Sequence, residues 1–184
     1  MKKKSLALVL ALAMIVVCVV GGTLAWLIDK TDPVKNTFTT SDVDITLTET
    51  TTNYKMIPGY TIDKDPKVTV LAGSEKCYLF VKVAESDNFD DFMTYTIATG
   101  WTALTGVNGV YYRVVDASTA TADQEFGVLA NDQVTVKDTV TKADMNGLTE
   151  ATQPTLTFTA YACQYNNSND TNFGPADAWA KVYP

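Results

Sequence analysis

The chain has 184 residues and a formal net charge of −7, and it contains no histidine. The acidic balance repels nucleic acid and anionic lipid, so we expect no nucleic-acid binding. The lack of histidine excludes Ser-His-Asp and Cys-His catalysis and histidine-based zinc sites. Because the chain also lacks a glycine-rich phosphate loop and a dinucleotide fingerprint, we expect a protein that is not an enzyme and holds no cofactor.

The N-terminus predicts a secretory signal peptide over residues 1–25. A lysine triplet is followed by an uncharged, mostly apolar run as far as Ile28, which is the order of a secretory signal. Thr23 and Ala25 are small enough for the cleft of a signal peptidase, so cleavage is predicted after Ala25, with Trp26 as the new N-terminus. The alternative is an uncleaved anchor, because the uncharged run reaches the ~20 residues of a membrane-spanning helix.

Residues 26–40 are predicted to form an extended N-terminal segment, and residues 41–184 a single β-sandwich domain. An extended apolar segment can add to the open sheet edge of another molecule through main-chain hydrogen bonds. The alternative is that it is a flexible lead or a strand of its own domain. Its candidate donor-strand anchors are Trp26, Leu27, Ile28, Val34 and Phe38.

Threonine alternates with apolar residues through most of the domain, which is typical of half-buried strands. Strands are predicted at 43–48, 67–70, 77–83, 93–97, 110–114, 133–140 and 155–164. The most apolar of them, 77–83, is expected at the centre of a sheet.

Turns and short helices complete the predicted fold. Asn108-Gly109 predicts a tight hairpin turn, and short helices are predicted at 142–148 and 176–182. The pattern as a whole predicts an all-β fold, a single antiparallel jelly-roll-like β-sandwich with short helical pieces, preceded by the N-terminal signal helix.

The two cysteines of the domain are predicted to be free thiols. Cys77 shares its strand parity with Leu79 and Val81, whereas Cys163 has the parity opposite to Phe158 and Ala160. Their side chains therefore face different ways, which is incompatible with the geometry of a disulfide.

The sequence offers candidates for a calcium site, a sugar-binding surface and a pair of catalytic carboxylates. The acidic stretches 87–91 and 166–170 could supply oxygen ligands to calcium, but they lack EF-hand spacing and are more simply solvated loops. Trp101 and the pair Tyr111-Tyr112 could stack on sugar rings, but such residues are more often packed in a core. A pair of carboxylates could support hydrolysis, although no spacing singles one out.

Two stretches carry a family pattern. Around the predicted cleavage site it consists of Gly21-Gly22-Thr23-Leu24-Ala25-Trp26, Asp29, Thr31-Asp32, Val34, Asn36-Thr37-Phe38 and Val43-Asp44-Ile45-Thr46-Leu47. In the domain it consists of Pro58-Gly59, Lys64-Asp65-Pro66, Val68-Thr69-Val70, Gly73-Ser74-Glu75, Tyr78-Leu79-Phe80-Val81-Lys82-Val83, Ala160-Tyr161-Ala162 and Ala178-Trp179. These stretches resemble the TasA and camelysin family, bacterial proteins exported with a signal that is cut by the SipW type of signal peptidase.

The resemblance implies a secreted jelly-roll subunit of fibres in the biofilm matrix or on the cell surface. Its partners would be the SipW-type peptidase and other copies of itself, with membrane contact only through the uncleaved signal segment. The metalloprotease activity attributed to camelysins is not carried over, because this chain has no histidine ligands. The alternatives are a monomeric surface-displayed binding module, adhesin or glycan-binding, and a carboxylate-dependent hydrolase.

Overall fold

A computed structural model of the protein describes residues 42–51, 54–118, 121–166 and 171–183. Within these ranges the strands are β1 Ile45–Thr48, β2 Thr61–Asp63, β3 Lys67–Val70, β4 Cys77–Glu85, β5 Met93–Ile97, β6 Thr102–Ala103, β7 Val110–Val115, β8 Gln124–Gly127, β9 Leu129–Val136 and β10 Leu156–Gln164. The helices are α1 Phe89–Phe92, α2 Lys142–Asn146 and α3 Pro175–Val182, with a 3-10 turn at Glu150–Thr152.

The strands form three sheets, and every pairing between them is antiparallel. The strand orders are β10-β4-β7-β6, β1-β3-β8 and β2-β9-β5. The predicted all-β, antiparallel fold with short helical pieces is confirmed for this part of the chain, which belongs to one compact unit.

Strand β4 lies at the centre of the four-stranded sheet, between β10 and β7, as its apolar sequence predicted. One of its faces carries Cys77, Leu79, Val81 and Val83, which pack against β3 in the largest buried core. Partly buried side chains from β1, β5, β8 and β10 complete this core, so the two smaller sheets cover the same face. This arrangement is the two-layer packing of a β-sandwich.

Helix α3 covers the opposite face of the four-stranded sheet. It begins at Pro175, a residue suited to the first turn of a helix because it lacks an N–H that would need a partner. The ring of Trp179 lies 5.3 Å from that of Phe80 and 5.2 Å from that of Tyr161, measured between centroids. A second core, which includes Tyr78 and Cys163, is thereby closed.

The sheet β2-β9-β5 buries a third group of side chains. Ile62, Val136 and Val140 pack there with Phe92 of α1. Helix α2 contributes Met145 and is stabilised by a capping box, in which the side chains of Thr141 and Asp144 bond each other's backbone N–H groups.

The prediction of two free cysteines is confirmed. Cys77 is fully buried in the core between the sheets, whereas Cys163 is buried beneath α3 on the other face. Burial raises the pKa of the Cys77 thiol to about 11, and burial also raises the pKa of Cys163. Both thiols are therefore protonated and poor nucleophiles at neutral pH.

Two local predictions differ from the structure. The residues Asn108-Gly109 do end a hairpin loop, but the loop spans 104–109 rather than two residues, with Gly106 and Gly109 both at positive φ. The strand predicted at 133–140 instead occupies Leu129–Val136. Beyond Val136 the chain turns, and Val140 packs in the same core as Val136. The sequence therefore alternates between apolar and polar residues as far as Val140, although the strand ends at Val136.

Candidate functional site: an open strand edge and its cleft

Strand β10 is an edge strand without the features that normally protect a sheet edge. It pairs on one side with β4, in an uninterrupted register from Leu156 opposite Glu85 to Gln164 opposite Cys77. Its nine residues, LTFTAYACQ, include no charge, no proline and no glycine. Natural proteins blunt such edges with charges, proline, bulges or short strands. Because β10 is the last strand in the order β10-β4-β7-β6, no strand among the described residues pairs with its other side.

The remaining sheet edges carry such protection. Strand β6 has two residues and β2 has three, which is too short for a stable ladder. Strand β8 contains the charged Glu125, and the register of β5 shifts between Tyr95 and Ile97. Strand β1 is uncharged but has only four residues. Strand β10 is thus the longest unprotected edge in the described part of the chain.

A cleft of about 740 Å³ opens where β10 begins. Its volume lies within the range of ordinary ligand and peptide pockets. Apolar side chains form most of its floor, and its rim is polar. The floor includes Ile62, Phe89, Met93, Val134, Met145 and Leu156, and the rim includes Lys55, Glu150 and Thr157.

A buried ion pair stands at one end of the cleft. The Lys64 Nζ lies 2.5 Å from the Glu49 Oε1, and the two side chains are only 10% and 17% exposed. The Lys64 ammonium also lies 5.1 Å from the centre of the Tyr54 ring and 5.4 Å from that of Phe158 in β10.

The Tyr54 hydroxyl extends this charged group. It donates to the Glu49 carboxylate at 2.9 Å, and it also contacts the Thr51 carbonyl oxygen. Burial, together with the hydrogen bond to Glu49 and its negative charge, raises the pKa of Tyr54 well above the usual tyrosine value. The phenol therefore remains a proton donor at all physiological pH values.

Another depression, of about 460 Å³, lies on β5 and contains two acidic residues. Glu85 and Asp90 line it together with Tyr95 and Tyr111. The Tyr95 hydroxyl donates to the Glu85 carboxylate at 2.5 Å, and burial followed by this hydrogen bond raises the Tyr95 pKa. The Glu85 carboxylate is thus committed to a structural hydrogen bond.

The predicted cleavage and donor residues all precede Asp42, so they lie outside the described residues. They are Thr23, Ala25, Trp26, Leu27, Ile28, Val34 and Phe38. The signal helix over 1–25 and the segment 26–40 lie outside the described residues for the same reason.

The acidic stretch 87–91 includes the start of the short helix α1. Phe89 and Phe92 of α1 are buried, while Asp87, Asp90 and Asp91 point to solvent. Across the described ranges no three His, Cys, Asp or Glu side chains are grouped as metal ligands. The other candidate stretch, 166–170, lies outside the described residues except for Asn166.

Trp101, Tyr111 and Tyr112 were considered as a surface for stacking sugar rings or, alternatively, as packed residues. In the structure they are packed. The Trp101 indole N–H donates to the Gly127 carbonyl at 2.8 Å. Tyr111 packs against the core between the sheets, and Tyr112 packs against the core beneath α3. One face of Trp101 lies 5.4 Å from the guanidinium of Arg113, which also stacks on Phe126 at 3.9 Å.

The cleft was not anticipated from the sequence, because its residues come from six separate parts of the chain. The one signal available for the open edge was the absence of charge from LTFTAYACQ at 156–164, which is unusual for a strand that is not central.

No protein-family model matches the chain, and no curated protein or solved structure matches it either. Among the described residues, none of the helices is both long and apolar enough to cross a membrane.

Proposed function

We propose that the protein is a secreted structural subunit that assembles into extracellular fibres of a biofilm matrix or cell surface, and that it is not an enzyme. The observation that carries this proposal is the uncharged nine-residue strand β10, which is an open sheet edge among the described residues and lies beside a cleft lined by both apolar and polar side chains. A jelly-roll topology and membership of the TasA and camelysin type are part of the same proposal. They are supported by the residues around the predicted cleavage site and by the antiparallel sandwich.

The proposed donor is the segment that follows signal cleavage. Trp26, Ile28, Val34 and Phe38 are separated by even numbers of residues, so in one extended strand they share a face. That face would lie over the apolar cleft while the backbone pairs with β10. Pro33 is compatible with this role, because an added strand has one side on which no N–H is needed.

Addition of this segment to another copy leads to a fibre. The donor of each subunit and the acceptor edge are different surfaces, so the contact is heterologous and repeats without closing. Cleavage after Ala25 by a SipW-type peptidase would act as the switch, because the segment remains tethered to the membrane until it is cut.

Removal of residues 26–38 from the mature protein is expected to abolish fibres while leaving a folded monomer. Described residues between 43 and 182 form four buried cores, so we expect the circular dichroism and thermal unfolding of the shortened protein to be unchanged. Electron microscopy and size-exclusion chromatography measure the outcome. A matched control keeps the length but replaces Trp26, Val34 and Phe38 with serine, and it should also fail to assemble. Normal fibres from the shortened protein would overturn the donor role.

A lysine in β10 is expected to block assembly more than tenfold, measured as the rate of fibre growth from preformed seeds. Thr157 is exposed, lies opposite Ala84 and borders the cleft, so Thr157→Lys places a charge at the acceptor edge with little effect on the fold. The control is Thr102→Lys in β6, which is also exposed but lies at the opposite edge of the same sheet. Equal loss from both variants would show that added charge, and not the β10 edge, controls growth.

A further inference from the structure

Three methionines line the cleft beside β10. The chain has five methionines, and Met1 and Met14 belong to the predicted signal peptide. The other three are Met56, Met93 and Met145, and all three line the cleft. They come from a loop, from β5 and from α2, so their meeting reflects the fold and not a local sequence repeat.

These methionines combine an apolar setting with access from solvent. All three pack on the buried cluster that contains Ile62 and Val136. Each is only partly buried, so a small oxidant in the cleft can reach the sulfur. The larger cores between the sheets and beneath α3 contain no methionine, and Met93 packs in addition on the buried cluster of Phe89, Leu129 and Val134. Chemistry at sulfur therefore acts on the cleft and on the two small clusters beside it.

We propose that Met56, Met93 and Met145 form an oxidation site that controls the acceptor cleft. The oxidant is a hydroperoxide, and the product is methionine sulfoxide. An S–O bond forms as the peroxide O–O bond breaks, the sulfur loses two electrons, and the peroxide is reduced to water or an alcohol. The reaction is reversible through a sulfoxide reductase.

The consequence for the cleft follows from polarity. A sulfoxide carries a strong hydrogen-bond acceptor, and burying it against apolar side chains without a donor is unfavourable. An apolar segment that docks over the cleft would bury all three oxygens. Oxidation therefore weakens docking while the domain stays folded. This regulatory effect rests on the proposed assembly function, whereas the oxidation itself does not.

The experiment uses the full-length mature variant Trp26→Ser, Val34→Ser, Phe38→Ser, whose own segment is not expected to fill the cleft of another copy. The variant is treated with hydrogen peroxide, and there are three readouts. Mass spectrometry of peptides should show an added oxygen, about 16 Da, at each of the three methionines. Fluorescence of an apolar dye bound to the protein should fall at least threefold. The affinity for a labelled peptide of residues 26–39 should fall at least tenfold, and a sulfoxide reductase should restore both.

The matched control is the triple variant Met56→Leu, Met93→Leu, Met145→Leu, which preserves apolar volume. It should bind dye and peptide as the parent does and should not respond to peroxide. The proposal is overturned if the methionines resist peroxide that oxidises free methionine. It is overturned equally if oxidised protein binds dye as before, or if the leucine variant loses binding on treatment. Failure of the untreated protein to bind the peptide would instead contradict the donor role, and the mass and dye readouts would still decide the oxidation site.

Discussion

Replacement of Gly109 by alanine is expected to lower the free energy of unfolding by about 3 kcal/mol or more, the larger part of it from a steric clash. Gly109 has a φ of 70°, a conformation that costs an L-residue about 1–2 kcal/mol. An added Cβ would also lie 2.5 Å from the backbone oxygen of Val83. This oxygen belongs to the central strand β4, so it cannot move aside as the end of a flexible side chain can.

The close approach of Gly109 to Val83 allows a backbone hydrogen bond. The Val83 N–H donates to the Gly109 carbonyl at 2.7 Å, which extends the ladder between β4 and β7 by one residue beyond the pair of Lys82 and Val110. Only a residue without a side chain permits this bond at that separation.

Gly106 provides the matched control, because it lies in the same loop. Its φ is 81°, but a Cβ there would have no atom within 4 Å. Gly106→Ala should therefore cost about 1 kcal/mol, the conformational part alone. Urea unfolding followed by circular dichroism measures both variants. A Gly109→Ala variant within about 0.5 kcal/mol of Gly106→Ala would show that the β4–β7 contact is not tight.

The parts of the fold that sequence predicted are those where one strand or helix determines its own pattern. Residues Cys77–Val81 of β4 are buried on both faces, so this part of the strand lacks the alternation of an exposed strand and its sequence indicates a central position. Pro175 marks the start of α3 because proline suits a first helical turn. The opposite parity of Cys77 and Cys163 needed only the period of two along a strand, which places successive side chains on opposite faces.

The strands that were missed are too short to have a pattern. Strand β2, with three residues, exists because β9 supplies a partner far away in the sequence, whereas β6, with two residues, exists because it forms a hairpin with β7. Strand β8 contains Gln124 and Glu125, which do not favour a strand on their own. Pairing with a partner strand, not the residue preferences of the short segment itself, therefore decides these elements.

Like the fold, the candidate site is only partly predictable from the local sequence. The uncharged character of β10 is visible in the sequence, but its position at an edge is not, since it follows from the strand order. Likewise, nothing local brings Met56, Met93 and Met145 to one cleft or places Lys64 beside Glu49. These contacts depend on the packing of the sheet β2-β9-β5 against the start of β10.

The effects of replacing Glu49 and Lys64 on the free energy of unfolding are expected to be strongly coupled. Glu49→Leu leaves the Lys64 ammonium against two aromatic rings without a counter-charge, and Lys64→Met leaves the Glu49 carboxylate with the Tyr54 hydroxyl alone. Each single substitution should cost about 3 kcal/mol, because an unpaired charge remains buried. The double variant should return to within about 1 kcal/mol of the parent, since two apolar side chains of similar size fill the same space.

A second double-mutant cycle, on Lys76 and Asp116, tests whether burial causes the strong coupling expected for Glu49 and Lys64, or whether pairing of opposite charges is enough. These side chains lie 2.9 Å apart, but they are 44% and 84% exposed. Their coupling energy should be small and should decrease with added salt, as for other exposed pairs. The coupling of Glu49 and Lys64 should exceed it severalfold and resist salt, because these two side chains are only 10% and 17% exposed. Equal coupling energies from urea unfolding of the two sets of variants would mean that burial does not strengthen the pair of Glu49 and Lys64.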